Sequence, residues 1–143
     1  PLVVNSTKRG KLMSSVQWSD ILGWDGEAIE DLRYLGYAYL KQGKYEIARS
    51  FFEALVTLNQ ENPYDLQTLG GLYLETGKNL QALNTIEKAL KLDPSHSETL
   101  LNRAKALFAL GYRRQAISQA NLLLRDPVTS IANQASALLL AYT

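Results

Sequence analysis

Few residues of this chain could do chemistry, and they are scattered. One histidine, His96, stands alone in the run Asp93-Pro94-Ser95-His96-Ser97-Glu98, and none of the 143 residues is cysteine. A zinc site needs several His, Cys or acidic ligands together, and a nucleophile needs an adjacent base. His96 has neither company, so we read it as a solvated polar residue. Glu27, Glu30 and Asp31 form an acidic cluster that could serve acid/base catalysis, but the positive start of a helix favours carboxylates in the same way. No glycine-rich phosphate cradle occurs. These residue types point away from an enzyme, a metal and a cofactor.

Composition narrows the partners. Lys and Arg total 15 against 14 Asp and Glu, so net charge implies neither a nucleic-acid footprint nor a basic membrane-binding field. Recognition must rest on shape and apolar contact. The absence of cysteine fits a reducing compartment, and a cytoplasmic location is expected. At this length one domain can bury about 70% of its unfolded surface. The apolar stretch 136–142 is far too short to span a bilayer. At the other end the basic cluster Lys8, Arg9, Lys11 follows the apolar residues, so the start does not read as a secretion signal. Asn5-Ser6-Thr7, a formal glycosylation acceptor, is then a chance match. We read residues 1–12 as a disordered leader or cloning remnant, with Met13, the sole methionine, a natural starting point.

Any groove these residues form must be positioned by a repeat. A shift of 34 residues aligns Leu32, Leu66 and Leu100, then Gly36, Gly70 and Ala104, then Tyr39, Tyr73 and Leu107, then Gly43, Gly77 and Gly111, then Ala48, Ala82 and Ala116. A fixed period of this size marks a solenoid whose units bury their apolar faces on one another. Within the first unit Leu32, Leu35 and Tyr39, then Ile47, Phe51, Phe52, Leu55 and Leu58, follow helical spacing. Glycines 43, 77 and 111 fall between the two runs, where a left-handed residue ends a helix. Each unit is therefore helix, turn, helix, and Gly36 lies inside a helix to let its partner cross closely. Asn62-Pro63 predicts a capped start, and Ser95 with Glu98 has capping-box spacing. The predicted units are 29–62, 63–96 and 97–130, preceded by a cap segment, 13–28, and followed by a C-terminal capping helix, 131–143.

With "LQTLGGLYLETGKNLQALNTIEKALKLDP" the chain resembles the tetratricopeptide-repeat family: Leu66, Leu69, Gly70, Tyr73, Gly77, Ala82, Ile86, Ala89 and Pro94 occupy its signature positions. The resemblance implies an all-α, right-handed solenoid of three repeats. In the third unit Arg103-Ala104 replaces the usual Leu-Gly, which implies a looser crossing. The stretch "WSDILGWDGEAIEDLRYLGYAYLKQGKYEIARSFFEALVTL" also resembles small chaperones of bacterial type III secretion that hold translocator proteins.

That family lines its concave face with the first helix of each unit. Transferred to this chain, the implied groove residues are Arg33, Tyr37, Leu40 and Lys41 with Glu30; Tyr64, Gln67, Gly71 and Leu74 with Thr68; and Leu101, Asn102, Lys105 and Phe108 with Glu98. The apolar members would take alternate side chains of an extended peptide. Arg33, Gln67, Asn102 and Lys105 would satisfy its polar groups, and Gly71 would admit its backbone. The family's carboxylate clamp for chaperone tails is not matched, because Arg33, Tyr37, Thr68, Glu98 and Asn102 stand at its positions and Glu98 would repel a carboxylate. Trp18 and Trp24 have two readings: a dimer or docking surface, or a cap folded back on the first repeat. The expected function is a protein- or peptide-binding module, a chaperone of an aggregation-prone secreted protein, with a general scaffold piece of a larger protein as the alternative.

Overall fold

The computed structural model describes Gly23 and residues 25–143. The leader 1–12, Met13, Trp18 and Trp24 lie outside the described residues, and with them most of the expected cap segment and its dimer contact. The described chain holds seven helices: α1 (Gly26–Lys41), α2 (Tyr45–Leu58), α3 (Pro63–Glu75), α4 (Asn79–Leu92), α5 (Ser97–Leu110), α6 (Arg113–Leu123) and α7 (Thr129–Tyr142). They pair as three hairpins, α1/α2, α3/α4 and α5/α6; each hairpin packs on the next, and α7 packs on α5 and α6.

The hairpins form where local chemistry directs them. Gly43, Gly77 and Gly111 take φ of 75°, 76° and 84°, the left-handed turn that a side chain would oppose. Asn62 caps α3 as expected: its Oδ1 accepts from the Asp65 N–H at 3.0 Å, and Pro63 takes the first helical position, where no donor is needed. Two boundaries differ from expectation. Residues 26–28, assigned to the cap segment, are the first turn of α1, because the Asp25 carboxylate accepts from the Ala28 N–H at 2.8 Å and starts the helix earlier. The cap of α5 is His96 rather than Ser95, with Nδ1 accepting from the Thr99 N–H. An imidazole nitrogen can accept as a hydroxyl does, so the lone histidine caps the start of α5 instead of facing solvent freely.

Small residues set the crossings. A Cβ on Gly36 would lie 2.9 Å from Phe51 Cβ and 3.0 Å from Phe52 Cε2, and one on Gly70 would lie 2.8 Å from Ile86 Cγ1. The helices of a hairpin are therefore in backbone-to-side-chain contact, and Ala48, Ala82, Ala104 and Ala116 are fully buried. Around them Phe52, Leu55, Leu69 and Leu72 form one core, and Leu107, Phe108 and Ala120 another. Each such large side chain contributes about 1.5–3 kcal/mol on burial. Leu35 and Ile47, placed on the apolar stripe by spacing, are exposed. The third unit's departure from the family pattern has a polar purpose: Arg103, on α5, donates to Glu87 on α4 and Gln119 on α6, tying three helices, while Ala104 keeps the crossing closed.

Candidate functional site

The first helices α1, α3 and α5 stand side by side and leave an open groove of about 440 Å³ between them. Eight of the expected residues line it: Tyr37 and Leu40 from α1, Tyr64, Gln67, Gly71 and Leu74 from α3, and Asn102 and Lys105 from α5. Thr68 and Glu98 line it too, as their register implies, together with Glu75 and Leu72. Tyr37 and Tyr64 are 40% and 41% exposed, which for large aromatics leaves a substantial apolar area facing water. Tyr45, the first residue of α2, completes the aromatic wall. Only the distinction between first and second helices hid it from sequence reasoning, since it directly follows the Gly43-Lys44 turn.

Four expected residues stand elsewhere. Arg33 is committed within the protein: its Nε and Nη2 donate to both carboxylate oxygens of Asp65 at 2.7 and 2.8 Å, and Nη1 pairs with Glu30. The hydrogen bonds it donates to Asp65 raise the guanidinium pKa beyond its ordinary range against the opposing effect of burial, with the charges of Asp65 and Glu30 adding to the rise. Asp65 itself is fully buried, so this pair locks α1 to α3 and fixes one wall of the groove relative to the other. Lys41 leaves the groove and lies with Nζ 5.1 Å from the Tyr37 ring centroid, a cation–π contact.

Leu101 and Phe108 are corrections. They are only 3% and 6% exposed. Leu101 packs with Leu123, Ile131 and Ala135; Phe108 packs near Leu138 and Leu139 and stacks on Tyr142 with ring centroids 4.5 Å apart. Helix α7 crosses the end of the third unit and takes these apolar side chains into its own interface. Between α5 and α7 a second hollow of about 260 Å³ remains, sharing Glu98, Asn102 and Lys105 with the groove and lined further by Leu101 itself and by Val128, Ser130, Ile131 and Gln134.

Of the groove's polar groups, Gln67 Nε2 donates to Asp93 Oδ2 at 3.2 Å. Burial pushes the Tyr64 phenol above its ordinary pKa. No group of three or more His, Cys, Asp or Glu suited to a metal occurs among the described residues. No described helix is long and apolar enough to cross a membrane. What the arrangement can do is bind: the groove brings apolar rings and leucines together with amide, ammonium and carboxylate groups, the mixture that holds a peptide's side chains and polar groups.

Known proteins resemble the chain in two ways. The Protein CTR9 homolog of Arabidopsis thaliana is 30% identical over 93 residues, which are 64% of this chain and 8% of that protein. The chain thus spans less than a tenth of the length of this curated relative. Solved structures share its fold, two of them as follows. A type III secretion complex from Aeromonas hydrophila has a TM-score of 0.80 at 20% identity, covering 96% of this chain and 95% of that one. The Yersinia enterocolitica secretion chaperone SycD, in complex with a peptide of the translocator YopD, has a TM-score of 0.68 at 21% identity, covering 83% and 98%. A family model described as "Anaphase-promoting complex, cyclosome, subunit 3" matches residues 42–121, from the end of α1 into α6. With more than half of its length matched, and with three stacked helical hairpins of 34-residue period, the chain belongs to that tetratricopeptide-repeat family.

Proposed function

We propose that this protein is a non-catalytic interaction module that holds an extended segment of a partner protein in the groove of α1, α3 and α5, and that it serves as a cytoplasmic chaperone of an apolar secreted protein such as a type III translocator. The observation that carries the reading is the groove itself, where Tyr37, Tyr64 and Tyr45 stand open to solvent opposite Asn102 and Lys105. Exposed aromatic rings of this kind serve as anchors at interfaces. The fold-level likeness over nearly the whole chain to a type III secretion complex supports the finer assignment. Because α7 occupies Leu101 and Phe108, the segment engages the first two units and the α5 edge rather than the end of the third. A homodimer through the N-terminal segment belongs to the same reading.

The second reading, a scaffold piece of a larger assembly protein, is favoured by the match to a small part of the CTR9 homolog. One experiment tests the groove. Peptides selected by the wild-type protein from a random phage-displayed library should bind a Tyr37→Ala/Tyr64→Ala variant at least roughly tenfold more weakly, about 1.4 kcal/mol, with unchanged far-UV circular dichroism. Equal affinity would remove the groove. The chaperone reading further requires that co-expression keep an apolar translocator soluble, whereas a scaffold piece would leave its solubility unchanged.

A further inference from the structure

Gly70 and Gly71 sit side by side inside α3, and only one of them is needed for packing. A Cβ on Gly70 would press on Ile86; a Cβ on Gly71 would meet nothing closer than Asn102 Nδ2, at an ordinary 3.5 Å. Glycine is the poorest helix former after proline, so Gly71 weakens α3 without any compensating contact within the protein. What it does is leave bare backbone on the floor of the groove. Interior glycines without a packing role mark places where another backbone approaches.

The polar groups beside it have been thinned by the fold. Of the four expected to meet a ligand, Arg33 is held by Asp65 and Glu30, and Gln67 by Asp93. Asn102 and Lys105, one turn apart on α5, make no hydrogen bond or ion pair among the described residues. Tyr37, Gly71 and Lys105 are spaced by 34 residues and therefore stand at one level of three successive first helices, with the free donors on one side of the bare floor and an aromatic ring on the other. On the proposed reading of the groove, we infer that Gly71, Asn102 and Lys105 form a seat for the main chain of the bound segment, whose carbonyl oxygens accept from the Asn102 amide and the Lys105 ammonium. The electropositive donors suit the negative end of a peptide carbonyl. The carboxylates of Glu75 and Glu98, which line the same groove and form no ion pair among the described residues, select a stretch that is neutral or basic rather than acidic.

The test uses peptides selected on the full wild-type protein from the random library. Gly71→Ala should melt a few degrees higher than wild type, because the alanine helix propensity is gained without a clash, yet bind those peptides roughly tenfold more weakly. Replacing peptide amides one at a time by esters, which weakens the carbonyl acceptor, should reveal one position that costs severalfold in affinity for wild type and little for Asn102→Ala. Wild-type affinity in Gly71→Ala would overturn the seat. So would a flat ester scan, which would mean that a side chain fills the space over Gly71. Failure of wild type to select any peptide would instead remove the groove reading, and this inference with it.

Discussion

Replacing Gly70 by alanine should destabilise the protein relative to the same replacement at Gly71, and the gap can be worked from geometry. Both changes gain about 1 kcal/mol of helix propensity in the same helix. They differ in what the new methyl meets. At Gly70 it would stand 2.8 Å from Ile86 Cγ1, where carbon–carbon contacts prefer about 3.5–4.0 Å. Ile86 is fully buried on α4, so the relief of roughly 0.7 Å or more must come from moving α4 or from leaving the Ile86 rotamer, and overpacking of this kind costs about 1–3 kcal/mol. Gly71→Ala meets no such resistance. Urea denaturation followed by circular dichroism should therefore place Gly70→Ala about 1–3 kcal/mol below Gly71→Ala. Truncating Ile86 to alanine removes the opposing atom, so the double variant Gly70→Ala/Ile86→Ala should lose less than the sum of the two single changes. Coincident midpoints for the two glycine variants, or strict additivity in the double variant, would refute the close-crossing account.

The lock between the first two units can be probed by Asp65→Asn, which removes the bidentate acceptor from Arg33 and should cost about 3 kcal/mol, the low end for a broken buried pair because Glu30 still faces the guanidinium. A double-variant cycle with Arg33→Ala should show clear non-additivity in denaturation, and additive losses would mean that the pair does not hold α1 to α3. Tyr73 supplies a pH signature. Burial first, and then the hydrogen bond it donates to Glu53 on the neighbouring hairpin at 2.7 Å, push its phenol up to about 12 from the ordinary 10. The folded state thus holds this proton more tightly, so its contribution is complete below pH 10 and is lost as pH rises from 10 towards 12. Wild type should exceed Tyr73→Phe in stability at pH 9 by about 1.5 kcal/mol, and the difference should shrink by pH 11; a constant difference would contradict the assignment.

Sequence by itself determined the repeat, because the features that make it are local. A glycine at 43, 77 or 111 ends a helix through its own backbone freedom, Asn62 caps through a side chain three residues from its donor, and the 3.6-residue stripe needs no knowledge of a partner. Most of the groove followed as well: once α1, α3 and α5 are parallel, Tyr37, Tyr64, Gly71, Asn102 and Lys105 share one face by register alone. Competition between groups distant along the chain was decided only by the tertiary structure. Arg33 looked free until Asp65, buried and 32 residues away, accepted from its Nε and Nη2. Leu101 and Phe108 looked open until α7 folded across them and Tyr142 stacked on the ring. Register placed Gly70 at the helix crossing and Gly71 on the groove face, but only the tertiary structure supplied the atom that makes the first indispensable: a Cβ at Gly70 would lie 2.8 Å from Ile86 Cγ1, whereas one at Gly71 would meet nothing closer than Asn102 Nδ2 at 3.5 Å.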